Sequence, residues 1–363
     1  MKKFFVSLVM LLSLSAACVF AQSSLIATLS HEGEITPFYG ANALKEAHEA
    51  AVHGDAITLS SGTFIATDIT KAITLRGAGM QLDTINNVLP TIIVGDFTIH
   101  IADSTKEKLI MEGIYNNHVI TLKGIIEGAR FIKSRFLRVD CADSSDGALP
   151  NSSFLHCKVV GELRLTDFNT DCNIINCYVH KLKLYDGGMV DGTNSFVQVF
   201  NSIIHTYMDD FEPNSSFQRY GNMAITNSIL IGCNIEGYNY NLPGSGFCRY
   251  DKFPTSSTVY NCVAINSLNY AFENIPNETN LHSTYSEVFK HFTGTYKDEI
   301  TFELTDEAKV KFLGLDGTQV GIYGGNIPFD PTTTNPYITK CNVAAKSTAD
   351  GKLSVDIEVA GVE

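Results

Sequence analysis

A chain of 363 residues that is 44% hydrophobic and 18% charged has ample apolar material for a large core and length for one to three domains. Its net charge of −13 at pH 7 argues against a nucleic-acid partner, which requires a basic surface. Beyond the first segment no run of about 18 apolar residues occurs, so no transmembrane helix is expected.

Residues 1–21 read as a signal peptide. Lys2 and Lys3 precede an apolar run from Phe4 to Leu14, and Val19-Phe20-Ala21 fits a small-residue cleavage site before Gln22. The run is too short to span a bilayer. Its removal takes the charge from −13 to −15, because two lysines leave with it. Cys18 raises a lipoprotein reading, but the position where a lipobox carries Leu is Ser15. The chain is therefore expected to be exported to the periplasm, the medium or the cell surface. Eight cysteines remain, at 141, 157, 172, 177, 233, 248, 262 and 341. An even number permits disulfides, yet three of them fall at a repeated position described below, where Cys acts as a small hydrophobe. Buried free thiols are expected, with Cys233–Cys248 the pair to look for if one forms. No CxxC, HxxxH or HExxH spacing occurs, so neither a metal site nor a resident cofactor is expected.

Residues 22–54 contain an extended stretch and then a helix over 42–53. Leu44, Ala47, Ala51 and Val52 form its apolar stripe, Asn42 stands at its N-cap and Gly54 ends it. Strand lines follow at 56–59, 72–79, 91–102, 108–114 and 119–126. Then a short line recurs: Ile132-Lys133-Ser134-Arg135-Phe136, Leu155-His156-Cys157-Lys158-Val159, Ile175-Asn176-Cys177-Tyr178-Val179, Phe200-Asn201-Ser202-Ile203-Ile204, Thr226-Asn227-Ser228-Ile229-Leu230 and Tyr260-Asn261-Cys262-Val263-Ala264. The small residue falls at 134, 157, 177, 202, 228 and 262, at spacings of 23, 20, 25, 26 and 34. Self-similarity at this period signals a solenoid. Read as one strand, each line puts Ile132, Ser134 and Phe136, or Ile175, Cys177 and Val179, on a single apolar face. The Ser or Cys then points into a narrow core. The preceding Asn suits a left-handed bend, and stacked Asn amides are expected to bond to one another along the axis. The helix before the first coil would cover the open end of the core.

Two stretches carry a family resemblance. Gly54-Asp55-Ala56-Ile57-Thr58-Leu59-Ser60-Ser61-Gly62-Thr63-Phe64, followed by Lys71-Ala72-Ile73-Thr74-Leu75-Arg76-Gly77-Ala78-Gly79, resembles the opening of pectate-lyase-like right-handed parallel β-helix proteins. Leu315-Asp316-Gly317-Thr318-Gln319-Val320-Gly321-Ile322-Tyr323-Gly324-Gly325 resembles the segment that closes many of them. The resemblance implies an all-β fold: a right-handed, single-stranded parallel β-helix over 55–330. An N-terminal capping helix precedes it and a small β tail follows at 331–363. Leu353, Val355, Ile357 and Val359 alternate in that tail after the turn Asp350-Gly351. The tail would serve as a cap or would dock another protein. The superfamily holds lyases, hydrolases, epimerases, adhesins and inert scaffolds, so the fold alone names no activity.

A second repeated strand follows each line: Leu137-Arg138-Val139-Asp140, Leu163-Arg164-Leu165-Thr166-Asp167 and Leu182-Lys183-Leu184-Tyr185-Asp186. With Leu and Val inward, Arg138, Arg164 and Lys183 would form a vertical cationic column. Asp167, Asp186, Asp209 and Asp210 would line an acidic column beside it. Such a face suits an acidic polysaccharide, whose uronates repeat as the coils do; lyases of the superfamily use a basic outer side chain as base, often with Ca²⁺ held by Asp. The same residues also read as a ladder of surface ion pairs. Asn169-Thr170-Asp171 and Asp209-Asp210 resemble the paired-carboxylate motifs of polygalacturonase-type hydrolases. They are 38 residues apart, however, and that family's Gly-His-Gly and Arg-Ile-Lys motifs are absent. The stretch 237–254 holds Tyr238, Tyr240, Phe247, Tyr250 and Phe253 with Arg249. Its rings would stack on sugars while Arg249 grips a carboxylate, or they would fold onto the solenoid. The leading expectation is a non-catalytic, exported polysaccharide binder. The alternatives are a uronate lyase and an adhesin-like module.

Overall fold

The structure, a computed structural model, describes residues 25–84, 88–102, 106–141, 147–166, 170–185, 196–206, 222–232, 258–265, 279–333, 337–343, 351–352 and 355–360. The segments 1–21 and 237–254, Asp167, Asp186, Asp209 and Asp210, and both Cys233 and Cys248 lie outside the described residues.

Two long sheets share the strands of successive coils. The first contains Ile26–His31, Glu34–Tyr39, Ala56–Leu59, Thr74–Arg76, Ile110–Glu112, Arg130–Ile132, Ser153–Leu155, Thr170–Ile175, Phe196–Phe200, Asn222–Thr226 and Thr258–Tyr260. The second contains Gly62–Ile65, Thr91–Val94, Ile114–Lys123, Arg135–Asp140, Lys158–Thr166, Tyr178–Tyr185, Ile203–Thr206, Ile229–Gly232, Val263–Ile265 and Leu281–Ser283, with Phe97–His100 beside Ile114–Lys123. Apart from the pairings of Ile26–His31, which are antiparallel, neighbouring strands in both sheets run parallel. The arrangement is compatible with a parallel β-helix. A helix, Ala43–Ala50, buries Ala43, Leu44 and Ala47 in the same core as Ile57, Leu59 and Phe64. It is shorter than expected, and Asn42 makes no side-chain capping bond. Tyr337–Val343 and Val355–Ala360 pair with each other as an antiparallel hairpin.

The recurring line is not one strand. It is a strand of the first sheet, a corner, and a strand of the second. Lys133, His156, Asn176, Asn201, Asn227 and Asn261 all adopt left-handed φ between 46° and 54°, and Gly113 holds the same place one coil earlier at 67°. The corner changes the face parity. Phe131, Phe154, Ile174 and Val199 are fully buried, whereas Ile132, Leu155, Ile175 and Phe200 are half-buried on the opposite side. These four were expected to share the inward face with the small residues. The error came from carrying period-2 alternation through a residue that is not extended.

The six small residues are fully buried, as expected, and backbone accounting gives the reason. The corner N–H donates to the next coil, as from Asn176 to Phe200 O, and the residue after the small one donates to the previous coil, as from Tyr178 to Cys157 O. The small residue's own N–H turns inward between the sheets. In several coils the side chain of the next coil accepts it. Ile114 N–H donates to Ser134 Oγ (3.1 Å), Cys157 N–H to Cys177 Sγ (3.2 Å), Cys177 N–H to Ser202 Oγ (3.1 Å) and Ser202 N–H to Ser228 Oγ (3.1 Å). Each hydroxyl or thiol then donates to the carbonyl two residues before it, as Ser202 does to Phe200 (2.8 Å). The position therefore needs a small group that both donates and accepts. Five cysteines, at 141, 157, 172, 177 and 262, carry buried free thiols.

The corner residues face outward, and their amides do not bond to one another. Residues 313–333 run back along them as a strap. Asn261 Nδ2 donates to Leu313 O (3.4 Å), and Leu315 N–H donates to Asn227 Oδ1 (3.0 Å). Asn176 Nδ2 donates to both Ile322 O and Gly324 O (2.8 Å each). His156 Nε2 donates to Ile327 O (2.9 Å), and Lys133 Nζ meets Asp330 (3.1 Å). A Cβ on Gly324 would lie 1.8 Å from Gln319 O and 2.8 Å from Asn201 Nδ2, so only glycine lets the strap seat there. Residues 285–312 cover part of the outer face of the second sheet. Phe289, Phe292, Phe302 and Phe312 pack with Tyr178, Ile203, Ile229 and Val263.

Candidate functional site

Beyond that apolar cover, the second sheet carries charged side chains on three successive strands. Strand Lys158–Thr166 has one more residue than its neighbours between Val159 and Glu162. The insertion sets the register: Arg138 lies opposite Glu162 and Glu162 opposite Lys181, while Asp140 lies opposite Arg164 and Arg164 opposite Lys183. The expected column of Arg138, Arg164 and Lys183 does not form. Val139, Leu163 and Leu182 align instead, and two columns of mixed sign result. The misalignment arises because Leu137 lies opposite the bulge at Val160 and Gly161 and is not the counterpart of Leu163.

The five charges form a lattice. Arg164 Nε donates to Glu162 Oε2 (2.6 Å), and its Nη1 lies 3.5 Å from Asp140 Oδ2. Arg138 Nη2 donates to the same Asp140 oxygen, and its Nε lies 3.8 Å from Glu162 Oε2. Lys181 Nζ meets Glu162 Oε1 at 2.9 Å. Asp140 is fully buried, so each guanidinium offsets a carboxylate that water cannot reach. Arg138 is the most exposed of the five, with 26% of its side chain open. Its Nε is buried without a hydrogen-bond partner among the described residues. Among the described residues three cations meet two carboxylates here, on a strongly acidic chain. Sequence reading missed Glu162 and Lys181. The available signal was opposite charge at i and i+2 on one strand face, as in Arg138-Val139-Asp140 and Glu162-Leu163-Arg164.

Nearer the corner, Arg135 and Lys158 are neighbours in register. Arg135 Nε donates to Asp298 Oδ1 (2.6 Å), and its guanidinium lies 4.3 Å over the Tyr115 ring. Lys158, 6% exposed, donates to the neutral Gln81 Oε1 (3.2 Å) and stands 5.7 Å above the Phe329 ring. Burial pushes its amine down to about 8; Asp298 and Glu299 oppose the shift and Arg135 adds to it. Burial likewise lowers His156, the structural histidine under the strap.

Of the residues expected to bind carbohydrate, the structure brings together Arg138 and Arg164 and sets Lys183 in register with Arg164. Asp167, Asp186, Asp209, Asp210, Tyr238, Tyr240 and Arg249 lie outside the described residues. Comparison with protein-family models, curated proteins and solved structures gives no match to this chain. No helix among the described residues is long and apolar enough to cross a membrane.

Proposed function

We propose that the chain is an exported, right-handed parallel β-helix protein of the pectate-lyase-like type that binds an acidic polysaccharide without cleaving it. The observation that carries this reading is the Arg138–Asp140–Glu162–Arg164–Lys181 lattice, where among the described residues three cations meet two carboxylates beside the covered part of the second sheet. Uronates or sulfated sugars bind by charge-assisted hydrogen bonds to guanidinium edges. Lys183, Asp167 and Asp186 would extend the same face. Tyr238, Tyr240 and Arg249 would add ring stacking, and Asp209 and Asp210 a polar border. Binding is favoured over elimination because both guanidinium groups engage carboxylates, and a cation held in this way is a poor base. The signal peptide, a capping role for helix Ala43–Ala50 and a docking role for the C-terminal hairpin belong to the same proposal.

Calorimetric titration with oligouronates, sulfated and neutral oligosaccharides tests it. The acidic ligands should bind with an affinity that falls steeply with salt, and Arg164→Ala should weaken them about tenfold or more. Equal binding of neutral and acidic glycans would overturn the assignment. Ultraviolet absorbance of unsaturated uronates that is lost in Arg164→Ala would establish the lyase alternative instead.

A further inference from the structure

The repeat that places the corner Asn also places a histidine. Asn176-Cys177-Tyr178-Val179-His180 and Asn201-Ser202-Ile203-Ile204-His205 each carry one four residues after the corner. Tyr178 pairs with Ile203 and Val179 with Ile204, so the two imidazoles stand side by side on adjacent strands. Their Nδ1 atoms are 2.8 Å apart, with the rings at 83°. The Tyr178 hydroxyl joins them, 3.2 Å from His180 Nδ1 and 3.0 Å from His205 Nδ1. It is held there by its own ring, stacked on Phe302 (4.6 Å) and Tyr296 (5.0 Å). Tyr178 is fully buried and His205 is 6% exposed beside Phe292, while His180 is half-buried and forms the open side.

Three polar atoms crowd this triangle, and protons can link them: one Nδ1–H donates to the Tyr178 oxygen and the hydroxyl donates to the other Nδ1. A neutral imidazole presents at Nδ1 either one hydrogen or one lone pair. At 2.8 Å one Nδ1 donates and the other accepts. In that case the Tyr178 hydroxyl shares the same accepting lone pair or takes the Nδ1–H on its oxygen, so the three atoms compete for two protons. The same closeness suits a cation: with both imidazoles protonated at Nε2, two Nδ1 lone pairs and the Tyr178 oxygen lie within 3.2 Å of one another.

We propose that His180 Nδ1, His205 Nδ1 and the Tyr178 oxygen form a binding site for a first-row divalent transition-metal ion, with Zn²⁺ and Cu²⁺ the best matched. Tetrahedral coordination at about 2.0–2.1 Å sets donor atoms about 3.3 Å apart. The three atoms, now 2.8–3.2 Å apart, need separate by only a few tenths of an ångström. Imidazole suits Zn²⁺, Cu²⁺ and Ni²⁺, whereas Mg²⁺ and Ca²⁺ take oxygen ligands. The packed rings of Phe292, Phe302 and Tyr296 fix the donors and keep water from one side. The site is independent of the glycan-binding face: Lys181, the next residue, turns away to Glu162.

The test uses the full chain stripped with a chelator and titrated with Co²⁺, then with Zn²⁺ in competition. Wild type should develop the visible absorption of a low-coordinate Co²⁺ site at one equivalent, lose it to Zn²⁺, and melt at a higher temperature with Zn²⁺ than without. His180→Gln, at the half-buried ligand, should melt like wild type in the absence of metal and lose both the absorption and the Zn²⁺ shift. Tyr178→Phe keeps the ring packing and should weaken Zn²⁺ about tenfold. If wild type gives neither absorption nor a melt shift at millimolar metal, the proposal fails. It also fails if His180→Gln binds as wild type does, because the metal would then sit on other histidines.

Discussion

The two neighbouring residues of the repeat, Asn176 and Cys177, solve different problems on opposite sides of the chain. Cys177 faces inward and closes a local account: it accepts the N–H of Cys157 one coil away and donates to carbonyls at Phe154 and Ile175. Asn176 faces outward and closes a remote one, donating to Ile322 and Gly324, about 146 to 148 residues further on. Adjacent positions with similar burial therefore differ in what a substitution removes. At the inner site it removes a link in a stack. At the outer site it removes a rivet between two parts of the chain.

Five substitutions break or sharpen that contrast. Cys177→Asp should be the most damaging. The site is fully buried between coils, and a carboxylate there either stays charged without a cation or is protonated and crowded. A loss of at least about 4 kcal/mol is expected, read as failure to fold or a collapse of the thermal melt. Asn176→Ala should cost about 3 kcal/mol, since it strands two strap carbonyls and forces a Cβ residue of lower tolerance into left-handed φ. Asn176→Gly separates the two parts: it restores the backbone freedom but not the hydrogen bonds, so it should recover only about a third of the loss in urea melts. Full recovery by glycine would show that the strap contact contributes nothing.

Lys158 sharpens the outer side through pH. Its folded pKa, about 8, lies below the unfolded value of about 10.4. The unfolded state thus binds more protons between those values, and stability should rise with pH across that window. The destabilisation is fully present below pH 8 and amounts to at most about 3 kcal/mol. Lys158→Met should therefore melt higher than wild type at pH 7, with the two curves converging towards pH 10. Parallel curves would show that the amine is not held in an apolar setting. The smallest effect belongs to Cys177→Ser, under about 1 kcal/mol, because Ser202 and Ser228 make the same paired bonds in their own coils.

The period, the parallel strand stacks and the burial of Ser134, Cys157, Cys177, Ser202, Ser228 and Cys262 were legible because a local rule repeats in each coil. The corner was half legible. Asn signalled tolerance of left-handed φ, but its partner lay in residues 313–333, which share no pattern with the coils. Face parity failed at Ile132, Leu155, Ile175 and Phe200 because alternation holds only while the backbone stays extended. The charged site failed in register for a related reason. One extra residue between Val159 and Glu162 moves Arg138 opposite Glu162, and no count of apolar residues reveals a bulge. The pair His180 and His205 was readable from its common offset to Asn176 and Asn201, yet the metal spacings sought lie within one short stretch of chain, whereas these two residues sit on adjacent strands.

The strap changes how such a molecule comes apart. Stacked coils that touch only their neighbours fray from either end, each at its own free energy. Here a single segment spans from the corner at Asn261 to Thr333, which reaches Ala78 O at 3.3 Å. Loosening any middle coil strains the rivets of those above and below it, so the array is expected to unfold as one cooperative unit. During synthesis the coils emerge first and wait unclasped until residue 333 has left the ribosome. Consolidation by the strap therefore follows the coils, and shortening the chain before Leu313 should convert a single sharp transition into a broad, stepwise one.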